Sequence, residues 1–213
     1  MVIYYLVKQG HLGWLGFNMQ LLFPTPIHEV ELEFNNKELA SEVYEIKDKY
    51  PQSGTDWRCN TYSTFSLNTV EKIKNKESLD ALLHLITAEV IKYLNNLSVD
   101  MDTFGVGVRE LWLNLSKKGD FQEYHQHSGN DVSAVYFLQG EEGSGNLVLK
   151  SMESMSEKPL PFKENTLPNS TTYEIKPKPG RLVIFRSHVP HMVQENKSSD
   201  RVSMALNLGL FQK

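Results

Sequence analysis

The sequence has little of three features that would assign a protein to a class at once. Cys59 is its single cysteine, so no disulfide can form within the chain. No apolar run approaches the roughly 18 residues that are needed to span a bilayer. The net charge of −4 indicates no basic surface for a nucleic-acid backbone. These absences predict a cytoplasmic protein that binds neither a membrane nor a nucleic-acid backbone.

Internal repeats and low-complexity tracts are also missing, and the 213 residues form one predicted domain, 1–213. The apolar segment Met1–Lys8 lacks a basic leader and a small-residue cleavage site, so we interpret it as a strand and not as a signal peptide. Cys59 is expected to be a small, partly buried side chain.

The first hundred residues alternate between strand and helix patterns. Apolar residues at 30, 32 and 34 alternate with glutamates, which is typical of a half-buried strand. Asn36 is predicted to cap a helix that runs to Tyr50. Ser78 is predicted to cap a second helix, whose apolar stripe runs up to the break at Asn95 and Asn96. Residues 1–100 are therefore predicted to be an α+β half that supports the rest.

Residues 101–213 are rich in short β segments bounded by Gly, Pro, Asn or Ser, a spacing typical of a sandwich or barrel. The predicted strands are Val106–Leu115, Val132–Leu138, Leu147–Lys150, Thr171–Ile175, Leu182–Arg186 and Val202–Leu210. Between them, residues 151–170 form a long loop, and a loop of that length is a candidate substrate lid.

Two groups of histidines lie in this β-rich half. His125 and His127 are two residues apart, so they face the same side if they lie at a strand end. His191 follows a strand, and His188 precedes it by three residues in what we interpret as a loop. Imidazole binds Fe, Zn, Cu and Ni alike, so the ligand type alone does not select the metal.

Several segments, taken in order, resemble a known family. They read LFPTPI at 22–27, HQH at 125–127, SAVYF at 133–137, FRSHVPH at 185–191 and RVSMALN at 201–207. Together they resemble the Fe(II)/2-oxoglutarate-dependent oxygenases of the prolyl-hydroxylase-like branch, in particular those with an H-x-H followed by an SGVYY-type motif. The resemblance implies a mainly β (α+β) fold, a double-stranded β-helix (a cupin-like jelly roll) supported by two N-terminal helices.

The resemblance also implies the cofactors and the reaction. Fe(II) and 2-oxoglutarate would serve as cofactors, and dioxygen would hydroxylate an unidentified organic or protein substrate with release of succinate and CO₂. His125 and His191 would be metal ligands. Arg201 would bind the distal carboxylate of 2-oxoglutarate, with Ser203 donating a hydrogen bond to the same group.

One position departs from the family pattern. The usual carboxylate ligand stands two residues after the first histidine, where this chain has His127. His127 could itself bind the metal, water could complete a two-histidine site, or a carboxylate could enter from Asp131 or, less favourably, Glu123. We favour His127 as the third ligand.

Other side chains are candidates for the co-substrate pocket. These are Asn114, Tyr124, and either Tyr136 or Phe137, which cannot both face inward because strand side chains alternate. Ser133 would share the face of Phe137. Trp57 and Trp112, two of the three tryptophans, are interpreted as core residues.

Two other functions are compatible with these residues. One is a three-histidine cupin-like dioxygenase that does not use 2-oxoglutarate, against which the Arg201–Ser203 segment argues. The other is a non-enzymatic jelly-roll binding module. The sequence does not fix the oligomeric state, and a homodimer is compatible with it.

Overall fold

The computed structural model describes residues 24–51, 60–152, 161–164 and 166–213. Strands and three helices follow one another along these ranges, with a 3-10 turn at Leu167–Asn169. In chain order they are β1 (Ile27–Glu31), α1 (Lys37–Lys49), β2 (Tyr62–Ser63), α2 (Thr69–Lys72), α3 (Lys76–Asn96), β3 (Phe104–Ser116), β4 (Gln122–His125), β5 (Val132–Gln139), β6 (Leu147–Lys150), β7 (Thr172–Ile175), β8 (Arg181–Arg186), β9 (His191–Val193) and β10 (Arg201–Gln212).

The strands form two antiparallel sheets. The larger sheet has the order β1-β8-β5-β10-β3-β2, and the smaller has the order β4-β9-β6-β7. An apolar cluster joins the larger sheet, through residues such as Phe137 and Phe185, to Leu147 and Leu149 of the smaller one. This is the predicted double-stranded β-helix, and it is confirmed.

The helices cover the opposite face of the larger sheet. Leu39 and Val43 of α1 and Leu82 and Ile86 of α3 are almost completely buried in the main core cluster. Period-two alternation divides each central strand between the two layers. On β5, for example, Tyr136 faces the helices, and Phe137 faces the smaller sheet.

The helix starts differ in part from the predictions. Helix α1 begins directly after Asn36, but the Asn36 side chain makes no capping hydrogen bond; its Oδ1 accepts one from the Tyr136 hydroxyl at 2.7 Å. The prediction that Ser78 caps the second helix is wrong. Helix α3 begins at Lys76, and Asn75 caps it by accepting a hydrogen bond from the Ser78 backbone N–H at 2.9 Å.

The six strands predicted in the β-rich half are confirmed within two residues at each end. The N-terminal strand is confirmed as β1, although it ends at Glu31; Leu32 and Phe34 lie beyond it and still pack on the core. Helix α2 and strands β2, β4 and β9, which have two to four residues each, were not predicted.

Some predictions fall on residues that lie outside the described ranges. These are the strand at Met1–Lys8, the tryptophan at 57, Cys59, and the central part of the 151–170 loop. Within the described ranges, no helix combines the length and apolar character that crossing a membrane requires. The cytoplasmic location and the single domain stay predictions.

Candidate metal centre

Three histidines meet between the two sheets. His125 ends β4 and lies opposite His191, the first residue of β9, in the antiparallel pairing of these strands. His127 follows two residues later. Each histidine offers one ring nitrogen to a group of three atoms that all lie within 4.8 Å of one another. Three imidazole donors at this separation can share one metal ion.

Hydrogen bonds to backbone carbonyls orient two of the rings. His125 Nδ1 lies 2.8 Å from the Glu123 carbonyl, and His191 Nδ1 lies 3.0 Å from the Val189 carbonyl. Because a carbonyl oxygen can only accept, each Nδ1 carries the proton and each Nε2 keeps its lone pair. This is the arrangement by which metal-binding histidines usually fix their tautomer.

Burial keeps these imidazoles neutral. It lowers the pKa of His191 to about 3 and the pKa of His127 to about 4, and in both cases repulsion from a neighbouring histidine adds to the effect. The pKa of His125 is also lowered, again mainly by burial. Metal binding requires an unprotonated imidazole, so the donor set fits a divalent cation.

Arg201 lies at another part of the same cavity. Its side chain is only 4% exposed, and its Nε is the one buried side-chain nitrogen or oxygen in the described ranges that has no hydrogen-bond partner. Nη2 makes a long contact of 3.5 Å with Ser203 Oγ, and the guanidinium lies 5.3 Å from the centre of the Phe137 ring. Burial lowers the Arg201 pKa to about 10, which leaves the side chain positive at neutral pH. A buried cation with an unpaired donor fits an anionic ligand.

The structure brings most of the predicted site residues together. Asn114, Ser203 and Arg201 line one cavity with the three histidines, together with Ser133. Of the two aromatic candidates on β5, Phe137 faces this side of the sheet and Tyr136 does not.

Three of the candidate residues, Tyr124, Asp131 and Glu123, do not line this cavity. Tyr124 is next to His125 on β4, so alternation turns it to the opposite face, where it is 42% exposed and lines a separate groove. Asp131 is outside the histidine group, and its carboxylate accepts a hydrogen bond from the Leu210 backbone N–H at 2.8 Å. Glu123 also lines the separate groove, and His188 is exposed in a turn.

Trp112 lines the site cavity, although the sequence predicted only a core position for it. It is 5% exposed, as a core residue would be, but it lines the site cavity, and its ring centre lies 5.3 Å from that of His127. The ring of Phe65, which is 58% exposed, is nearly perpendicular to that of Trp112, with the two ring centres 5.1 Å apart. Trp112 shares a strand face with Asn114, and this alternation could have placed it in the site.

The sequence was compared with known families and proteins. Residues 110–207 match the family described as "Putative 2OG-Fe(II) oxygenase". The matched segment spans somewhat less than half of the chain, contains all three histidines, Arg201 and Ser203, and is similar to the 2OG-Fe(II) oxygenases. Fe(II) and 2-oxoglutarate are the cofactors of that family, and dioxygen and an organic or peptide substrate are the other reactants. None of the curated proteins compared matches the sequence.

Solved structures with a similar fold are distant in sequence. A prolyl-4-hydroxylase from Pseudomonas putida aligns with a TM-score of 0.55 at 15% identity, covering 87% of this chain and 92% of that one. HygX from Streptomyces hygroscopicus, with nickel and 2-oxoglutarate bound, aligns with a TM-score of 0.56 at 13% identity, covering 87% and 83%. The α-ketoglutarate-dependent carbocyclase SnoK from nogalamycin biosynthesis gives 0.60 at 12% identity, covering 86% and 79%. At these identities the similarity shows the fold.

Proposed function

We propose that this protein is an Fe(II)- and 2-oxoglutarate-dependent hydroxylase whose metal ligands are His125, His127 and His191. The observation that carries the proposal is one cavity that holds three neutral imidazoles, two of them oriented by backbone carbonyls, and a buried arginine with an unpaired donor. The first group fits a divalent metal ion, and the second fits the distal carboxylate of a dicarboxylate co-substrate.

The side chains divide the work between them. The three imidazoles hold the metal, and Arg201 with Ser203 and Asn114 orients 2-oxoglutarate. Bound Fe(II), with 2-oxoglutarate and dioxygen, supplies the oxidising chemistry that inserts one oxygen atom into a substrate C–H bond and yields succinate and CO₂. Phe185, Val135 and Leu147 give the cavity apolar walls, which disfavour water beside the reacting groups.

The substrate side is proposed to lie along Trp112 and Phe65. Trp112 contacts His127, and the exposed ring of Phe65 extends the aromatic surface from the cavity towards solvent. The substrate would therefore contact an aromatic wall beside the metal.

A binding experiment and a turnover experiment test this function. With Mn(II) in place of Fe(II), 2-oxoglutarate or an unreactive analogue should raise the melting temperature, because only the folded protein binds it. With Fe(II) in air, the protein should release succinate from 2-oxoglutarate even without substrate. Absence of both effects would refute the proposal.

The melting-temperature experiment and the metal content of histidine variants separate the two other functions. A three-histidine dioxygenase that does not use 2-oxoglutarate would bind the metal with no further shift on adding the co-substrate. A binding module would show metal content that is unchanged by His125→Ala and His191→Ala together.

A further inference from the structure

His127 needs support that the other two histidines do not. His125 and His191 lie in paired strands, whereas β4 ends at His125 and His127 lies outside it, just before a turn. Its own backbone makes two hydrogen bonds, the N–H to the Ser187 carbonyl at 3.0 Å and the carbonyl from the Asn130 N–H at 3.2 Å. The position of the third imidazole therefore depends on what holds the following turn, residues 128–131.

A bulge in β3 brings two side chains to that turn. In the pairing of β3 with β10, Glu110 lies opposite Asn207 and Val108 lies opposite Leu208, so Arg109 is the extra residue. Arg109 Nη1 donates to the Gly129 carbonyl at 2.9 Å. Both residues of the bulge, Arg109 and Glu110, can thus reach the 128–131 turn.

The Glu110 carboxylate forms the second attachment. Glu110 Oε2 accepts hydrogen bonds from Asn130 Nδ2 at 3.2 Å and from Asn207 Nδ2 at 2.6 Å. Asn207 is completely buried, and its Oδ1 accepts a hydrogen bond from Ser133 Oγ at 2.9 Å. Ser133 Oγ lies 2.9 Å from Ser187 Oγ, and Ser187 is the residue whose carbonyl holds the His127 N–H. These hydrogen bonds form a closed polar network that ends at the backbone N–H of His127, through Ser187, and at its carbonyl, through Asn130.

This network is unusual for its surroundings. Ser133, Ser187 and Asn207 are all at most 3% exposed, although the strands around them are mostly apolar. Buried polar groups contribute specificity when every member is satisfied, as these three side chains are, and the exposed Glu110 joins them from the surface.

We propose that Glu110 is a positioning residue for the third metal ligand: held by Asn207, it fastens the 128–131 turn through Asn130 and so fixes the His127 imidazole. Asp131 has a structural role in the same turn, because its backbone N–H donates to the Leu208 carbonyl and its carboxylate accepts from Leu210. This inference rests on the proposed three-histidine site.

Titration with Co(II) alone tests the proposal by calorimetry and by the visible absorption of the bound ion. Glu110→Ala should weaken Co(II) binding about tenfold and alter the spectrum, a loss expected when a group that orients a ligand is removed. Glu110→Gln keeps an oxygen acceptor for the asparagines and should retain most of the affinity. Equal losses in both variants would show a role of charge alone and overturn the proposal. Glu33→Ala, which removes one exposed charge outside the site, is the matched control and should leave binding unchanged.

A double-mutant cycle with His127→Ala decides whether Glu110 acts through that histidine. If it does, Glu110→Ala causes no further loss of affinity once His127 is removed; an equal loss in both backgrounds overturns the proposal. Asn130→Ala, which breaks the same contact from the other side, should reproduce the effect of Glu110→Ala, and this second variant serves if the first does not fold.

The three-histidine site and the positioning role of Glu110 can be refuted separately. Unchanged affinity in His127→Ala would refute ligation by His127 and therefore the proposed site. A large loss in His127→Ala, with none in Glu110→Ala or Asn130→Ala, would refute the positioning role alone.

Discussion

The two faces of strand β10 are equally buried and chemically opposite. Towards the helices it places Val202, Met204, Leu206 and Leu208, all fully buried and apolar. Towards the smaller sheet it places Arg201, Ser203, Ala205 and Asn207, of which none exceeds 6% exposure. The comparison teaches that burial does not distinguish a structural face from a functional one in this fold. The difference is that one face buries carbon and the other buries donors and acceptors, one of them unpaired.

The site-facing residues should therefore affect binding, and the helix-facing residues should affect stability. The helix face gains free energy by removing apolar area from water. The site face keeps a buried charge for a ligand, which is unfavourable until the ligand arrives. Single substitutions on neighbouring positions can separate these two contributions.

The largest expected effect is at a metal ligand. His191→Ala should weaken Co(II) binding by more than about 100-fold and abolish succinate release, because removing a ligand exceeds the effect of removing its supporting groups. Calorimetry and a succinate assay measure both. His188→Ala removes an exposed histidine three residues away and is the matched control. If His188→Ala were the more damaging variant, the assignment of the distal ligand would be wrong.

Arg201→Met should have opposite effects on binding and on stability. Loss of a charge-assisted hydrogen-bonded pair should weaken 2-oxoglutarate binding about 10- to 100-fold. The unfolding free energy of the metal-free protein should rise by about 1 kcal/mol or more, since a buried charge without a partner is replaced by an apolar chain. Calorimetric binding in Mn(II) and denaturant unfolding measure the two quantities.

Arg181→Met is the control for that substitution. Arg181 pairs with Glu31 at 3.2 Å on the surface, and such a pair contributes at most about 1 kcal/mol. This variant should leave 2-oxoglutarate binding unchanged. A fall in the stability of metal-free Arg201→Met would contradict the view that the cation is held for a ligand.

A pair of adjacent residues on β10 gives the sharpest comparison. Met204→Ala, on the helix face, should lower the free energy of unfolding by about 2–5 kcal/mol and leave Co(II) and 2-oxoglutarate affinity unchanged in the folded protein. Ser203→Ala, on the site face, should change stability little and weaken 2-oxoglutarate binding by a few-fold. Chemical denaturation and calorimetry on both variants decide; a reversed pattern would disprove the division between faces.

The strands that carry these two faces could be predicted from the sequence where the apolar segments were long. The segments of β5 and β8 are dense in β-branched and aromatic residues, and β10 is long and mostly apolar, so these strands were placed correctly. Strands β4 and β9 were missed because three or four residues carry too little periodic signal. Their pairing, which puts His125 opposite His191, depends on contacts between distant segments, and local patterns do not contain that information.

The site could be predicted in part for the same reason. The resemblance to a family supplied Arg201 and His191, and the two-residue spacing supplied the shared face of His125 and His127. Tyr124 was placed in the site by its proximity along the chain, although alternation from His125 puts it on the other face. The network around Glu110 could not be predicted, since a bulge two residues from Trp112 decides which side chain reaches the turn.

The smallest expected effect tests a helix start in the supporting layer. Asn75→Ala should lower the free energy of unfolding by about 0.5–2 kcal/mol, because the Asn75 side chain satisfies the Ser78 N–H at the start of α3. Ser78→Ala keeps that backbone N–H and should change stability by less than about 0.5 kcal/mol. Both variants should bind Co(II) like the unchanged protein, as expected for residues on the helix side of the sheet. Denaturant unfolding compares them, and a larger loss from Ser78→Ala would restore the serine as the cap. It would also mean that the side chain three residues into the helix, and not the residue before its first turn, determines where α3 begins.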